Sequence, residues 1–193
     1  MKLRDKAIFR IKERFHSLFL NPIRKTLLGL QGARIGKTML PEIQVNWPHQ
    51  LSIGDGCIIE QGVTFKYDGI WSPGPRIKVE NNVFIGSYVE FNIKKGIVVS
   101  DNCLISSGCR FIDHNHGFQD VTKPMKEQSG VEEDIFLDED VWLGFGVQVL
   151  IGCTIGKGAI IGAGAVVTKS VPPHEIWTGI PARKMGERGE PTG

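Results

Sequence analysis

Residues 137–167 read LDEDVWLGFGVQVLIGCTIGKGAIIGAGAVV, and an apolar residue returns at every sixth position: Leu137, Leu143, Val149, Ile155, Ile161 and Val167. A six-residue period matches neither the 3.6 of an α-helix nor the 2 of a plain alternating strand. It suits a coil in which each hexad is one short strand followed by a corner, with three hexads closing one triangular rung. The side chain at each anchor then stacks on its counterparts in the rungs above and below.

The same period extends upstream through Ile35, Pro41, Trp47, Ile53, Ile59 and Phe65, then Val79, Ile85 and Phe91, then Val99, Ile105 and Phe111. Seventeen of these eighteen anchors are strongly apolar, where a hydrophobic content of 41% predicts about seven, so chance is a poor account of the pattern. Glycine often follows an anchor, as at 36, 54, 86, 144, 156 and 162, and is expected to supply turn conformations closed to a Cβ. The position four after each anchor holds small or medium apolar residues such as Val63, Val89, Val147 and Ala165. All four cysteines, Cys57, Cys103, Cys109 and Cys153, fall in that slot and read as corner fillers rather than redox or zinc ligands. Eighteen hexads predict about six rungs, an all-β solenoid spanning residues 31–171.

Composition agrees with one such domain. The chain has 193 residues, enough to bury a real core, and a formal net charge of +2, so no global basic field points to nucleic acid. No stretch reaches the length of a transmembrane helix and no signal-like apolar segment is present, so the expected location is cytoplasmic.

Both ends leave the repeat. Residues 1–30 place Leu3, Ala7, Ile8, Ile11, Phe15, Leu18 and Phe19 at helical spacing, predicting an amphipathic helix that stops near Asn21-Pro22, with a second short helical stretch to Leu30. Eight Lys/Arg against two acidic residues make this segment basic. Its apolar face is expected to cap the open end of the coil or pack on a neighbouring subunit, with contact to an anionic membrane surface as the alternative. Residues 172–193 read as a tail, because Pro172 and Pro173 stop the ladder and the glycine-rich, charged end is expected to be mobile.

Interruptions of the period locate the excursions. Fourteen residues separate Phe65 from Val79, around KYDGIWSPGP (66–75); eight separate Phe91 from Val99; twenty-six separate Phe111 from Leu137, around DHNHGFQDVTKPMKEQSGVEED (113–134). A protruding loop at 112–134 inside a compact coil is the place to seek chemistry. Its first residues carry His114 and His116, and imidazole is the side chain suited to proton transfer near neutral pH. Metal binding by Asp113, His114 and His116 is the competing reading, although no third histidine stands at ligand spacing.

These motifs resemble the hexapeptide-repeat, left-handed parallel β-helix acyltransferases, in particular sugar and polysaccharide O-acetyltransferases of the galactoside and maltose acetyltransferase type. The left hand comes from that resemblance. Counted without a gap from Phe111, His116 matches the family's catalytic histidine, with His114 held in reserve. FNI at 91–93 is similar to a motif whose asparagine contacts the acceptor sugar, which makes Asn92 an acceptor-orienting candidate. DVWLG at 140–144 is similar to VWIG, whose tryptophan packs near the catalytic histidine and the acyl group, here Trp142. IGAGAVVTKSVP at 161–172 and GIPARK at 179–184 resemble the coenzyme A groove. There Ala163 and Gly164 would offer backbone groups to the pantetheine arm, and Thr168, Lys169 and Arg183 would face the nucleotide phosphates.

The resemblance implies an acetyl-CoA-dependent O-acetyltransferase acting on a sugar hydroxyl of a surface polysaccharide or its precursor, working as a homotrimer without a metal. His116 would take the hydroxyl proton, and a backbone N–H near Gly144 or Phe145 would face the oxyanion. Acetyl transfer to an amino sugar or nucleotide sugar is the nearest alternative. A carbonic-anhydrase-like metalloenzyme and a non-catalytic scaffold are more remote.

Overall fold

The computed structural model of the chain describes residues 20–189. The strands form a three-sided prism. The first face stacks Arg34–Ile35, Leu51–Ile53, Ile77–Val79, Ile97–Val99, Ile135–Leu137 and Thr154–Ile155. The second stacks Ile58–Ile59, Phe84–Ile85, Leu104–Ile105, Trp142–Leu143, Ile160–Ile161 and Glu175–Thr178, and the third Gln44–Val45, Thr64–Tyr67, Glu90–Ile93, Arg110–Ile112, Gln148–Leu150 and Val166–Val167. Pairing within these stacks is parallel, because the chain visits the three faces in turn and returns to each one rung later. The result is the parallel β-helix that the hexads predict.

Anchors point inward. On the third face Phe65, Phe91 and Phe111 form a stacked column with ring centroids 4.9 and 4.8 Å apart, the spacing that neighbouring strands impose. Each of the three is fully buried, worth about 1.5–3 kcal/mol of burial. The four cysteines are buried in the corner slot and unpaired. Loss of solvent around the thiolate pushes Cys103 up to about 12 and Cys109 and Cys153 up to about 11, as inert packing thiols should behave.

Corners require glycine for two different reasons. Three residues after an anchor the backbone turns left-handed, at Gly146 (φ 69°) and Gly164 (φ 69°) for example, with Tyr88 (φ 58°) filling the same position elsewhere. The glycine directly after an anchor is there for another reason than the turn conformation expected of it. At Gly144 a Cβ would stand 2.7 Å from the backbone N of Ala163 one rung on, so close approach of the next turn excludes it.

Two sequence expectations need correction. In the first rung Leu40 is buried where Pro41 was expected, and Val45, not Trp47, pairs with Phe65. From Ile35 the inward residues come five apart, at Leu40 and Val45, and the 3-10 turn Pro48–Gln50 then takes up the difference so that the period is regained at Ile53. At the other end residues 172–189 of the expected tail are ordered into the coil. Glu175–Thr178 adds in parallel to Ile160–Ile161, and Arg183–Glu187 folds back antiparallel on it, so a hairpin extends the second face and buries Trp177 over the last rung. The two prolines occupy the corner before this strand and need donate nothing to the ladder.

At the entrance, helix α1 (Asn21–Leu30) matches the second helical stretch read from the sequence. Its Leu28 packs on the core, the Asn21 side-chain oxygen accepts from Leu40 N at 2.8 Å, and Lys25 Nζ donates to Gly36 O, so α1 caps the open end. The helix expected over residues 3–19 lies outside the described residues.

All excursions leave from one corner, between the third and first faces, here called the loop edge. Residues 47–50, 68–76, 94–96 and 113–134 project there between successive rungs. The corner between the second and third faces has no insertion in the rungs from Ile59 onward and is called the plain edge.

Candidate active site

The long excursion begins as soon as Arg110–Ile112 ends. Asp113 is fully buried and accepts from the backbone N of Lys94, Lys95 and Gly96 at 2.8, 2.7 and 2.9 Å. One carboxylate thus ties the small excursion at 94–96 to the base of the large one and satisfies three donors that burial would otherwise strand. His114 Nδ1 lies 2.9 Å from Asp113 Oδ1 and therefore donates, while its Nε2 faces Asp68 Oδ2 at 3.8 Å. Asp68 is in turn 3.4 Å from Lys66 Nζ. With 14% of its side chain exposed, His114 is enclosed between two carboxylates of its own chain.

His114–Asn115 then pairs antiparallel with Val131–Glu132, which turns the excursion into an ordered hairpin. Gln128 holds the distal part, accepting from Asp120 N at 2.9 Å and donating to Asp120 O and Lys123 O at 2.8 and 3.0 Å. His116 follows the paired residues and is exposed. Of the two imidazoles, His116 is the one open to a substrate, and His114 is the one braced by carboxylates. As for the metal reading, three backbone N–H groups and His114 already occupy Asp113. Among the described residues no group of three or more His, Cys, Asp or Glu side chains is arranged to hold a metal ion.

Asn92 stands on the outer surface of the third face, in register between Lys66 and Ile112. It lies inside the strand Glu90–Ile93. Its Oδ1 is buried and has no hydrogen-bond partner.

The remaining candidates lie elsewhere on the prism. Gly144, Phe145, Ala163 and Gly164 occupy the plain edge of the last two full rungs. Gly144 N donates to Ile161 O at 2.8 Å and Gly164 N to Phe145 O at 2.8 Å, so neither N–H is open to a ligand. The Gly144 N–H, expected as one of two oxyanion donors, is therefore already paired, and the other expected donor, Phe145, has a side chain that is 68% exposed. Trp142 faces outward from the second face between Leu104 and Ile160 and is not beside either histidine of its own chain. Thr168 and Lys169 are exposed after the last third-face strand, with Lys169 Nζ 5.1 Å from the ring centroid of Trp177. Arg183 is exposed on the terminal hairpin, which is joined to that strand by Ala182 N donating to Val166 O at 2.8 Å. Lys169 and Arg183 therefore share the C-terminal end of the coil.

A single chain therefore groups the candidates into two sets, histidines and Asn92 toward the loop edge and the groove residues on the plain edge and C-terminal cap. Two partners of the site were missed in the sequence. Asp68 lies in an excursion 46 residues before His114 and gave no local signal, whereas Asp113 sat in the DHNH motif and was weighed only as a metal ligand.

Comparison with known proteins agrees with this architecture. Residues 134–169 match the bacterial transferase hexapeptide (six repeats), and residues 76–109 the hexapeptide repeat of succinyl-transferase. No curated protein sequence matches the chain. Among solved structures, AntD, an N-acyltransferase from Bacillus cereus in complex with dTDP and 3-hydroxybutyryl-CoA, superposes with a TM-score of 0.72 at 21% identity, over 85% of this chain and 88% of that one. The hexapeptide-repeat-containing acetyltransferase VCA0836 from Vibrio cholerae gives 0.55 at 21% identity over 96% and 90%. Galactoside acetyltransferase in complex with coenzyme A gives 0.59 at 20% identity over 85% and 69%. At such identities the likeness establishes the fold, a left-handed parallel β-helix carrying hexapeptide repeats.

Proposed function

We propose that this hexapeptide-repeat chain transfers an acetyl group from acetyl-CoA to a sugar hydroxyl, in a site completed between neighbouring copies of a homotrimer. The observation that carries the reading is the histidine hairpin: one long excursion from an otherwise regular coil presents an uncovered imidazole, His116, on a base fixed by a buried carboxylate. The coenzyme-bound neighbours, AntD and galactoside acetyltransferase, support the donor.

Each residue then has a defined task. His116 accepts the proton of the attacking hydroxyl. Asn92, half-buried on the third face beside the histidine hairpin, orients the acceptor sugar. The Phe145 N–H faces the oxyanion that forms at the thioester carbonyl, and the thiolate of coenzyme A departs. Lys169 and Arg183 take the nucleotide phosphates at the C-terminal cap, Thr168 lies beside them, and the backbone of the exposed residues Ala163 and Gly164 borders the pantetheine arm.

Assembly is supported by the outer surface of the second face, where Ile58, Phe84, Leu104, Trp142, Ile160 and Ile176 align in register as an apolar stripe. The corresponding stripe on the third face is Gln44, Thr64, Glu90, Arg110 and Gln148, polar until it ends at Val166. Phe118, Val121 and Met125 on the hairpin are also exposed, as expected of a loop that reaches over a second copy. Packing one coil's second face beside another's loop edge brings Trp142 and the plain edge to the histidines that a single chain keeps apart.

AntD is an N-acyltransferase, so amine acceptors are the second reading. No helix among the described residues is long and apolar enough to cross a membrane. The basic segment 1–30 leaves peripheral contact with an anionic surface as part of the proposal, and a cytoplasmic enzyme is the setting it assumes. The decisive test is release of coenzyme A thiol from acetyl-CoA against sugars, amino sugars and nucleotide sugars. His116→Ala is expected to bind acetyl-CoA unchanged and to lose about 10²–10⁴-fold in turnover; a near-wild-type rate would remove His116 as the base.

A further inference from the structure

The two excursions nearest the entrance, 47–50 and 68–76, together hold an aromatic cluster that the acyl-transfer site does not use. Trp71 is 67% exposed, and its ring stacks on His49 at 6.2 Å between centroids and 28° between planes. Trp47 meets the same imidazole edge-on at 5.6 Å and 84°. One face of the Trp71 indole is thereby backed and the other left to solvent.

The segment bearing this ring is firmly tied down. The carbonyl of Ser72, the next residue, accepts from Gln50 Nε2 at 2.6 Å and lies 3.1 Å from His49 Nε2, and Ser72 Oγ is 3.0 Å from Tyr67 OH. Gln50 and Tyr67 are both buried. Leaving an indole in water forfeits burial free energy, and bracing it there with buried polar side chains gives a pre-organised stacking surface.

Its place on the coil says what would stack. Trp71 projects from the loop edge two excursions before the histidine hairpin, which at the strand spacing is roughly 10 Å along the axis. Lys66, Asp68 and Asn92 line the interval. At that separation a sugar held at Asn92 and His116 is expected to need a second, linked ring to meet the indole.

Resting on the acyl-transfer reading above, we infer that Trp71 is the floor of a second acceptor subsite, so that the acceptor carries at least two rings. The shared chemistry is an apolar ring face laid on the indole, either the C–H face of a second pyranose or the π face of a nucleobase. Stacking of this kind is worth about 1–3 kcal/mol, which converts to about 5- to 150-fold in affinity.

The test pairs binding with turnover. Tryptophan fluorescence and calorimetry are measured on the full chain with maltose, lactose, chitobiose, UDP-N-acetylglucosamine and dTDP-glucose, and with glucose and N-acetylglucosamine as one-ring controls. In the wild type at least one two-ring probe should bind more tightly than its one-ring control. Trp71→Ala should weaken that probe about 5- to 150-fold, with Trp71→Phe restoring most of it and acetyl-CoA affinity unchanged. Disaccharide or nucleotide-sugar preference identifies the ring. Equal losses for one- and two-ring probes, no loss, no binding of any two-ring probe to the wild type, or a changed sedimentation coefficient in Trp71→Ala would each overturn the subsite. Two-ring binding without release of coenzyme A thiol would instead sink the acyl-transfer reading and leave the stacking surface standing.

Discussion

Along the loop edge the hexads are interrupted at 47–50, 68–76, 94–96 and 113–134, while along the plain edge the turns through Gly62, Tyr88, Gly108, Gly146 and Gly164 repeat with no residue added. The two edges belong to one coil and share its inward anchors. At the loop edge a segment leaves after a third-face strand and returns to the next first-face strand in register, as Phe65 on Phe91 and Ile53 on Val79 show, so length is added without disturbing the stack. Each plain-edge turn instead hands its backbone directly to the next rung, as when Gly164 N donates to Phe145 O. An insertion there would break the ladder. One edge is free to grow side-chain chemistry; the other stays a regular rail of backbone, suited to an extended arm.

The contrast breaks most completely if the shared core fails. Phe91 is stacked between Phe65 and Phe111, and Phe91→Ala removes the middle ring of the column without touching either edge. A loss of about 3–5 kcal/mol is expected in urea denaturation, with the cooperative transition shifted to lower denaturant. A loss under 1 kcal/mol would mean that the rungs are stabilised mainly at their corners and that the edges are not passengers on a common core.

A smaller effect should be confined to the loop edge. In Asp113→Asn the side chain keeps its size, but an amide NH₂ now confronts one or more of the backbone N–H groups of Lys94, Lys95 and Gly96. The expected cost is about 1–3 kcal/mol of stability from stranded donors. Turnover should fall while the KM for acetyl-CoA stays the same, because the hairpin carrying His116 loosens and the plain edge is untouched. A change in acetyl-CoA KM with turnover preserved would reverse the division of labour between the edges.

Periodicity makes one half of this contrast legible in sequence and hides the other. Hexad spacing announces the coil, its corner cysteines and the positions of the later excursions, because identical rungs demand identical side chains at fixed intervals. It misplaces the first rung, where Leu40 and Val45 replace Pro41 and Trp47, since the 3-10 turn at Pro48–Gln50 absorbs the slip while Trp47 remains in phase by coincidence. The terminal hairpin was hidden by Pro172 and Pro173, which stop a ladder only where an N–H must donate. His114 and His116 stand out in sequence, yet their inequivalence depends on Asp68 and on backbone from 94–96, partners that the coil brings in from earlier rungs. Side chains that meet across rungs leave no local pattern to read.

The finest probe of the contrast lies on the plain edge itself. Gly164 has φ 69°, and a Cβ there would meet nothing within 4 Å, so Gly164→Ala adds a methyl group to open space and forces alanine into the left-handed region. The stability cost should be the conformational one alone, about 1–2 kcal/mol, readable as a small drop in the unfolding midpoint. If the pantetheine arm lies along this edge, the same methyl group obstructs it and the KM for acetyl-CoA rises several-fold at unchanged acceptor KM. Asp113→Asn and Gly164→Ala would then divide cleanly, one acting on turnover and the other on donor affinity. An unchanged acetyl-CoA KM in Gly164→Ala would move the donor off the plain edge and leave its regularity as a property of the fold rather than of the site.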